Sequence, residues 1–147
     1  MPCFRQYVNV SWHCMTTQTV TLEIRSETSL IIFLGDLRIF CQYTKSENGH
    51  YTLAFCDGDP FKHMGGQRND GKGFYFLIGN NALRVMGQIE RPNDGKVADN
   101  GWFIINDWLF TNNLESVAYC FDEKGNIVIQ IKLKANLLTN AISRTGN

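Results

Sequence analysis

The stretch Ser46-Glu47-Asn48-Gly49-His50-Tyr51-Thr52-Leu53-Ala54-Phe55 joins a polar turn containing glycine to a run of strand-forming residues. The same order recurs at Ala98-Asp99-Asn100-Gly101-Trp102-Phe103-Ile104-Ile105, and a third turn begins at Ser143-Arg144-Thr145-Gly146-Asn147. Asn48-Gly49 predicts a type I′ turn, because both residues tolerate positive φ angles. Aromatic and β-branched residues favour strands. The sequence therefore predicts an all-β chain with antiparallel sheets built from two imperfect repeats.

The chain divides into an N-terminal β region and successive repeats, all within one domain. Its 147 residues are about the length of one ordinary domain. Residues 1–45 contain four short apolar stretches that predict strands, and Leu30–Leu34 is apolar at every position, which indicates a buried strand. The repeats then occupy 46–94 and 95–142, and 143–147 begins a third. At most short helices are expected, at 107–114 and 135–142.

Composition limits the classes of partner. Fourteen basic residues balance fourteen acidic ones, so no long-range field concentrates nucleic acid or anionic lipid, and we expect neither a nucleic-acid nor a membrane partner. No apolar run is long enough to span a bilayer as a helix. The five cysteines are widely spaced and include no C-x-x-C pair, which favours a reducing, cytoplasmic location over a disulfide framework.

The repeats resemble the blades of TolB-type β-propellers over about residues 46–147. The resemblance rests on the glycine turn that opens a strand, on the strand end Tyr119-Cys120-Phe121-Asp122, and on the glycine turn and alternating strand that follow. Ser143–Gly146 resembles the Ser-Pro-Asp-Gly start of such a blade, with Arg and Thr in place of Pro and Asp. The resemblance implies a scaffold that binds proteins or peptides and carries no catalytic residues.

The resemblance also leaves the closure of the sheet open. A propeller closes with about four or more blades, whereas this chain holds two and the start of a third. A homo-oligomer, a longer protein and two halves of a sandwich are the three alternatives that would protect the sheet edges.

Four residues of types enriched in binding hot spots are the candidate binding residues: Arg68, Arg91, Trp108 and Phe110. Three of them lie in the loop 61–72 and the connection 108–113, which occupy equivalent places in the two repeats. Loops at equivalent places can share one rim of the structure. We therefore expect a non-enzymatic interaction module that binds a protein partner there.

Metal and phosphate chemistry receive little support. Asp57, Asp59 and His63 are the weak candidates for a metal site, but their spacing suits neither calcium nor zinc, and Asp is common at strand ends anyway. The stretch Gly66–Gly73 has the spacing of a phosphate-binding loop up to Lys72, yet Gly73 replaces the required hydroxyl residue and a strand follows. We expect no metal and no cofactor.

Two other functions remain as alternatives. A β-sandwich or barrel that holds a sugar or lipid among its aromatic residues is the first. A hydrolase is the second, and it would use aspartates near predicted turns. Those aspartates are Asp57, Asp59, Asp94, Asp99, Asp107 and Asp122.

Overall fold

The computed structural model describes residues 18–59, 64–65, 72–109, 114–135 and 139–146. The described residues form strands, turns and irregular segments, and none is helical. In chain order the strands are β1 (Gln18–Thr19), β2 (Thr21–Ile24), β3 (Ser29–Leu34), β4 (Leu37–Lys45), β5 (Tyr51–Cys56), β6 (Gly58–Asp59), β7 (Met64–Gly65), β8 (Gly73–Gly79), β9 (Ala82–Ile89), β10 (Pro92–Val97), β11 (Phe103–Trp108), β12 (Ser116–Phe121) and β13 (Ile127–Leu133). The predicted all-β class is confirmed.

Two antiparallel sheets make up most of the fold. A curled seven-stranded sheet has the order β1-β9-β8-β5-β4-β3-β2, and a four-stranded sheet has the order β10-β11-β12-β13. The strands β4, β5, β8 and β9 are consecutive neighbours in the first sheet, as β10 to β13 are in the second. Strands β6 and β7 form a small separate pair.

Short turns set the register of the hairpins. Gly35 and Asp36 connect β3 to β4, as their turn chemistry predicted. Asn80 and Asn81 connect β8 to β9 with φ angles of 53° and 58°, values that suit a two-residue type I′ hairpin.

The type I′ turn predicted at Asn48-Gly49 is wrong. Gly49 has a φ of 75°, whereas Asn48 is not among the residues with positive φ. The turn is closed by the bond from the Gly49 N–H to the Ser46 carbonyl, so Glu47 and Asn48 are its central residues. The Asn48 side chain accepts the N–H of His50 at 3.0 Å and the Ser46 hydroxyl at 2.8 Å, which holds this arrangement.

The core between the two sheets is built around three aromatic rings in mutual contact. Tyr75 of the first sheet lies 5.7 Å from Phe103 and 5.1 Å from Phe121, and those two rings are 4.8 Å apart. All three side chains are fully buried. Gly87 is required beside them, because a Cβ there would lie 2.2 Å from the Tyr75 ring.

A second core covers the other face of the curled sheet. Leu30, Ile32 and Leu34 of β3 belong to it, in agreement with the burial predicted for that strand. Its buried members are Val20, Leu30, Ile32, Leu34, Ile39, Cys41, Ala54, Phe74, Phe76, Ile78 and Leu83. The central strands β5 and β8 contribute to both cores, which explains why β8 is buried at every position.

Candidate binding surfaces

The end of β11 positions the segment that carries Arg91. The buried carboxylate of Asp107 accepts the backbone N–H of Arg91 at 2.7 Å and that of Glu90 at 3.2 Å. The Trp108 N–H in turn donates to the Arg91 carbonyl at 2.9 Å. Burial raises the pKa of the Asp107 carboxyl, and the two backbone hydrogen bonds lower it. The effect of burial is the larger one, so the pKa lies above its ordinary value.

The Arg91 guanidinium contacts an aromatic ring and a carboxylate. Its central carbon lies 5.2 Å from the centroid of the Trp108 ring, a cation–π geometry. Its Nε lies 3.3 Å from Oδ2 of Asp57. The other carboxylate oxygen of Asp57, Oδ1, is buried and has no hydrogen-bond partner within the described residues. This arrangement fixes a basic group beside an aromatic ring at the surface.

The sequence-predicted site residues are only partly brought together. Arg91 and Trp108 contact each other, although they were predicted from separate parts of the chain. Arg68, Phe110 and His63 lie outside the described residues. Asp57 pairs with Arg91, and Asp59 is described only as part of β6. Within the described residues no cluster of three or more His, Cys, Asp or Glu side chains is arranged to hold a metal.

An open groove adjoins Arg91 between β10 and the curled sheet. One part, of about 570 Å³, is lined by Arg25, Phe40 and Arg91, among others. A second part, of about 520 Å³, is lined by Lys45 and Lys96, among others. Both parts are lined by Gln42, Phe55 and Asn93, so they are adjacent. Phe40 is 67% exposed, so the groove has an accessible aromatic surface near basic groups.

Three of the aspartates proposed as hydrolytic residues accept hydrogen bonds from the backbone of the fold. Asp107 accepts the two backbone bonds given above, and Asp122 accepts the N–H groups of Lys124 and Asn126 within its own turn. Asp94 accepts the N–H of Asn140 at 2.8 Å and also pairs with Lys96. These bonds give Asp94, Asp107 and Asp122 structural roles in the fold.

Asp99 connects the three glycine turns that the sequence identified. Its Oδ1 accepts the Asn48 N–H of the first turn at 2.8 Å. Its own N–H donates to the Arg144 carbonyl of the third turn at 2.8 Å, and Arg144 Nε donates to its Oδ2 at 2.7 Å. The Asn48 hydrogen bond, together with the Arg144 guanidinium, lowers the pKa of the Asp99 carboxyl. The three turns are therefore held side by side.

Acidification is expected to weaken this connection. Because the folded-state pKa of Asp99 is lowered from 3.8, its contribution to stability is fully present above that value and is lost as the pH falls through the lower folded pKa. We expect the melting temperature of the wild-type protein to fall more steeply between about pH 5 and about pH 3 than that of Asp99→Asn. Thermal denaturation followed by circular dichroism measures both slopes. Asp36→Asn, at the exposed turn between β3 and β4, is the control, and equal slopes for wild type and Asp99→Asn would contradict this prediction.

The last strand of the second sheet exposes aliphatic side chains along an edge. Ile127, Val128, Ile129 and Ile131 of β13 are 43%, 46%, 51% and 51% exposed. On one side β13 pairs with β12, with a bulge between Cys120 and Phe121. In the described part of the chain no strand pairs with its other side. Such an edge presents backbone N–H and C=O groups together with apolar side chains.

The other sheet edges carry features that discourage pairing. At β10, the opposite edge of the same sheet, Pro92 lacks an N–H, a register shift separates Asn93 from Gly95, and Lys96 adds a charge. Among the described strands, the outer strands of the curled sheet are β1, which has two residues, and β2, which carries the exposed Glu23–Arg25 ion pair at its end. Within these residues β13 is the longest edge strand; it also carries a bulge and one lysine, Lys132, but it exposes four aliphatic side chains.

Comparisons with known proteins give no relative. No protein-family model, no curated protein and no solved structure matches the chain. The described residues also contain no helix of the length and hydrophobicity needed to cross a bilayer. Functional inference therefore rests on the surfaces described above.

Proposed function

We propose that the chain is a non-enzymatic protein-interaction module that adds an extended segment of a partner protein to the free edge of β13. The observation that carries this proposal is the exposure of 43–51% at four aliphatic side chains of one edge strand, whose second side pairs with no described strand. A partner strand would satisfy the backbone groups along the edge, and its side chains would cover part of this apolar surface.

The partner strand would contact more than the edge itself. In the register with β12, Ile129 lies opposite Cys120 and Ile131 opposite Ala118. Cys120 and Ala118 are both half-buried, so the exposed isoleucines continue an apolar strip on the outer face of the sheet. A partner with alternating aliphatic side chains matches this strip, because alternate residues of a strand share a face.

A scaffold role, which the resemblance to TolB-type repeats implied, is part of this proposal. It is supported by the common strand order of β4-β5-β8-β9 and β10-β11-β12-β13. It is also supported by the hydrogen bonds that Asp99 makes to the first and third glycine turns. A rigid pair of sheets presents an edge strand in a fixed conformation, which lowers the entropy cost of strand addition.

Ile131→Lys tests the proposed edge. A phage-displayed library of random peptides is selected on the wild-type protein, and the enriched peptides are measured against both proteins by fluorescence anisotropy. We expect enriched sequences with alternating aliphatic residues, and a loss of affinity of about tenfold or more in Ile131→Lys, because lysine is a common edge-blocking residue. The melting temperature should change little, since Ile131 is 51% exposed.

Phe40→Ala is the matched control for the edge variant. Phe40 is a comparably exposed apolar residue, but it lies in the groove on the other sheet. Peptide binding that survives Ile131→Lys contradicts strand addition at β13.

Binding of a ligand in the groove is a second candidate function. It is favoured by the exposed Phe40 ring, which lines the groove together with Arg25 and Arg91; both arginines are paired with carboxylates, of Glu23 and Asp57, for which an anionic ligand would compete. This surface would suit an acidic peptide or a small anionic ligand with an apolar part. Selected peptides whose binding is lost in Phe40→Ala but kept in Ile131→Lys would assign recognition to the groove.

A further inference from the structure

We propose that the partner of β13 is β13 of a second copy of this chain, paired antiparallel about Ile131 to form one continuous eight-stranded sheet. This inference rests on the proposed strand addition and names its occupant. The two strands would be related by a two-fold axis, and each would cover the other's free edge. A closed dimer of this kind leaves neither β13 edge available for uncontrolled growth.

The bulge in β13 selects the part of the strand that can pair regularly. The register with β12 is uninterrupted from Ile129 to Leu133 and shifts beyond Ile129. A bulge bends its strand and increases its twist, so regular pairing is favoured on the uninterrupted side. The middle residue of that five-residue stretch is Ile131, which places the two-fold axis there.

Side-chain matching agrees with this register. Ile131 would face Ile131 of the second copy, and Ile129 would face Leu133, so each aliphatic residue of the outer face would meet another. Directly opposed β-branched and aliphatic side chains stabilise an antiparallel pair. A slip by one residue would turn one strand's apolar face against the other's polar face. The aliphatic pattern therefore excludes one-residue slips, whereas moving the axis to Gln130 or Lys132 keeps aliphatic residues opposite one another.

The charges favour the antiparallel arrangement as well. Lys132 would face Gln130 of the second copy, and Gln130 can accept a hydrogen bond from its ammonium group. A parallel, in-register pair would instead bring Lys132 beside Lys132 of the second copy. Moving the axis to Lys132 would oppose the two lysines directly, an arrangement that is destabilising. The side chain of Lys132 is largely exposed and reaches the half-buried Glu115 of its own chain at 3.6 Å.

Gln130 provides a register-specific test by charge. Sedimentation velocity of the full chain over a range of concentrations gives the dimer fraction for wild type, Gln130→Glu and Gln130→Lys. A glutamate at position 130 would face Lys132 of the second copy and should raise dimer affinity. A lysine at position 130 would place two positive charges opposite each other and should lower dimer affinity by about fivefold or more. The double variant Gln130→Lys with Lys132→Glu should recover most of the loss. Gln42→Lys, at an exposed position of β4, is the control for added charge.

Cysteine substitution tests the position of the axis. Ile131→Cys should form a disulfide-linked dimer under mild oxidation, because opposed residues in an antiparallel pair have Cα atoms within the range that a disulfide spans. Gln130→Cys should form little of it, since Gln130 does not face itself in this register. Peptide mapping by mass spectrometry identifies the linked residues. Efficient linkage at residue 130 with none at residue 131 would overturn the proposed register.

The outcomes separate this inference from the proposed function. If the protein is a monomer at all concentrations and the selected peptides lose their affinity for Ile131→Lys, strand addition at β13 is supported. The same result overturns the second copy as the partner. A dimer that responds neither to Gln130→Lys nor to Ile131→Lys forms through another surface and also overturns this inference. A dimer that dissociates in both variants and is recovered in the double variant supports it.

Discussion

Replacing Phe103 with alanine is expected to lower the free energy of unfolding by about 3–5 kcal/mol. The Phe103 ring is fully buried and contacts the rings of Tyr75 and Phe121, so its removal leaves a cavity between the two sheets. Because the two sheets pack through this cluster, the loss of stability should extend to both sheets and shift their cooperative unfolding transition to lower urea concentrations. Urea denaturation followed by tryptophan fluorescence gives the difference from wild type.

Phe40→Ala is the control for the loss of an aromatic ring. Phe40 is 67% exposed, so its removal creates no comparable cavity and should change the unfolding free energy by less than about 1 kcal/mol. Equal effects of the two substitutions would show that the cluster of Tyr75, Phe103 and Phe121 does not hold the sheets together.

The aromatic cluster illustrates how far the sequence predicts the fold. Strand-forming runs and glycine turns predict an antiparallel all-β chain, because both signals act locally. They do not predict that Tyr75 meets Phe103 and Phe121, since that contact depends on how two sheets pack. The strands β8 and β11 lie in different sheets, and nothing in either strand alone specifies its partner sheet.

The candidate surfaces show the same division between local and long-range information. Arg91 and Trp108 could be chosen from residue type, whereas their contact with each other and with Asp57 depends on the ends of three separate chain segments. The alternating strand expected after Asp122 and its glycine turn corresponds to β13, but its alternation suggests a strand with a buried face. Its exposure follows from its place at the edge of the sheet, which a single strand's sequence does not encode.

Asp107 is the other residue whose importance emerges only from the structure. The sequence places it near a turn among six aspartates, whereas the folded chain buries it and directs both oxygens to the backbone of Glu90 and Arg91. A polar residue at the end of an apolar strand was the available signal, but its partners are 16 and 17 residues away. Such a bond cannot be inferred from local turn chemistry.

Replacing Asp107 with alanine is expected to destabilise the fold by about 3 kcal/mol, because two backbone N–H groups lose their acceptor and bonds to a charged group are stronger than neutral ones. The segment carrying Arg91 should also loosen, which would weaken the contact between its guanidinium and the Trp108 ring. Urea denaturation measures the first effect. Hydrogen exchange at the amides of Glu90 and Arg91 measures the second, and it should accelerate in the variant.

Asp107→Asn separates the hydrogen bonds from the buried charge. Its amide oxygen can still accept the shorter bond, from the Arg91 N–H, so it should keep more stability than alanine does.

Because burial raises the folded-state pKa of Asp107 above 3.8, the carboxyl favours the folded state most when protonated, and that contribution is lost as the pH rises through the folded pKa. The stability of Asp107→Asn relative to wild type should therefore improve from about pH 4 to about pH 7. A relative stability that declines over this range would mean that the two backbone bonds outweigh burial and that the ionised carboxylate is the form the fold prefers.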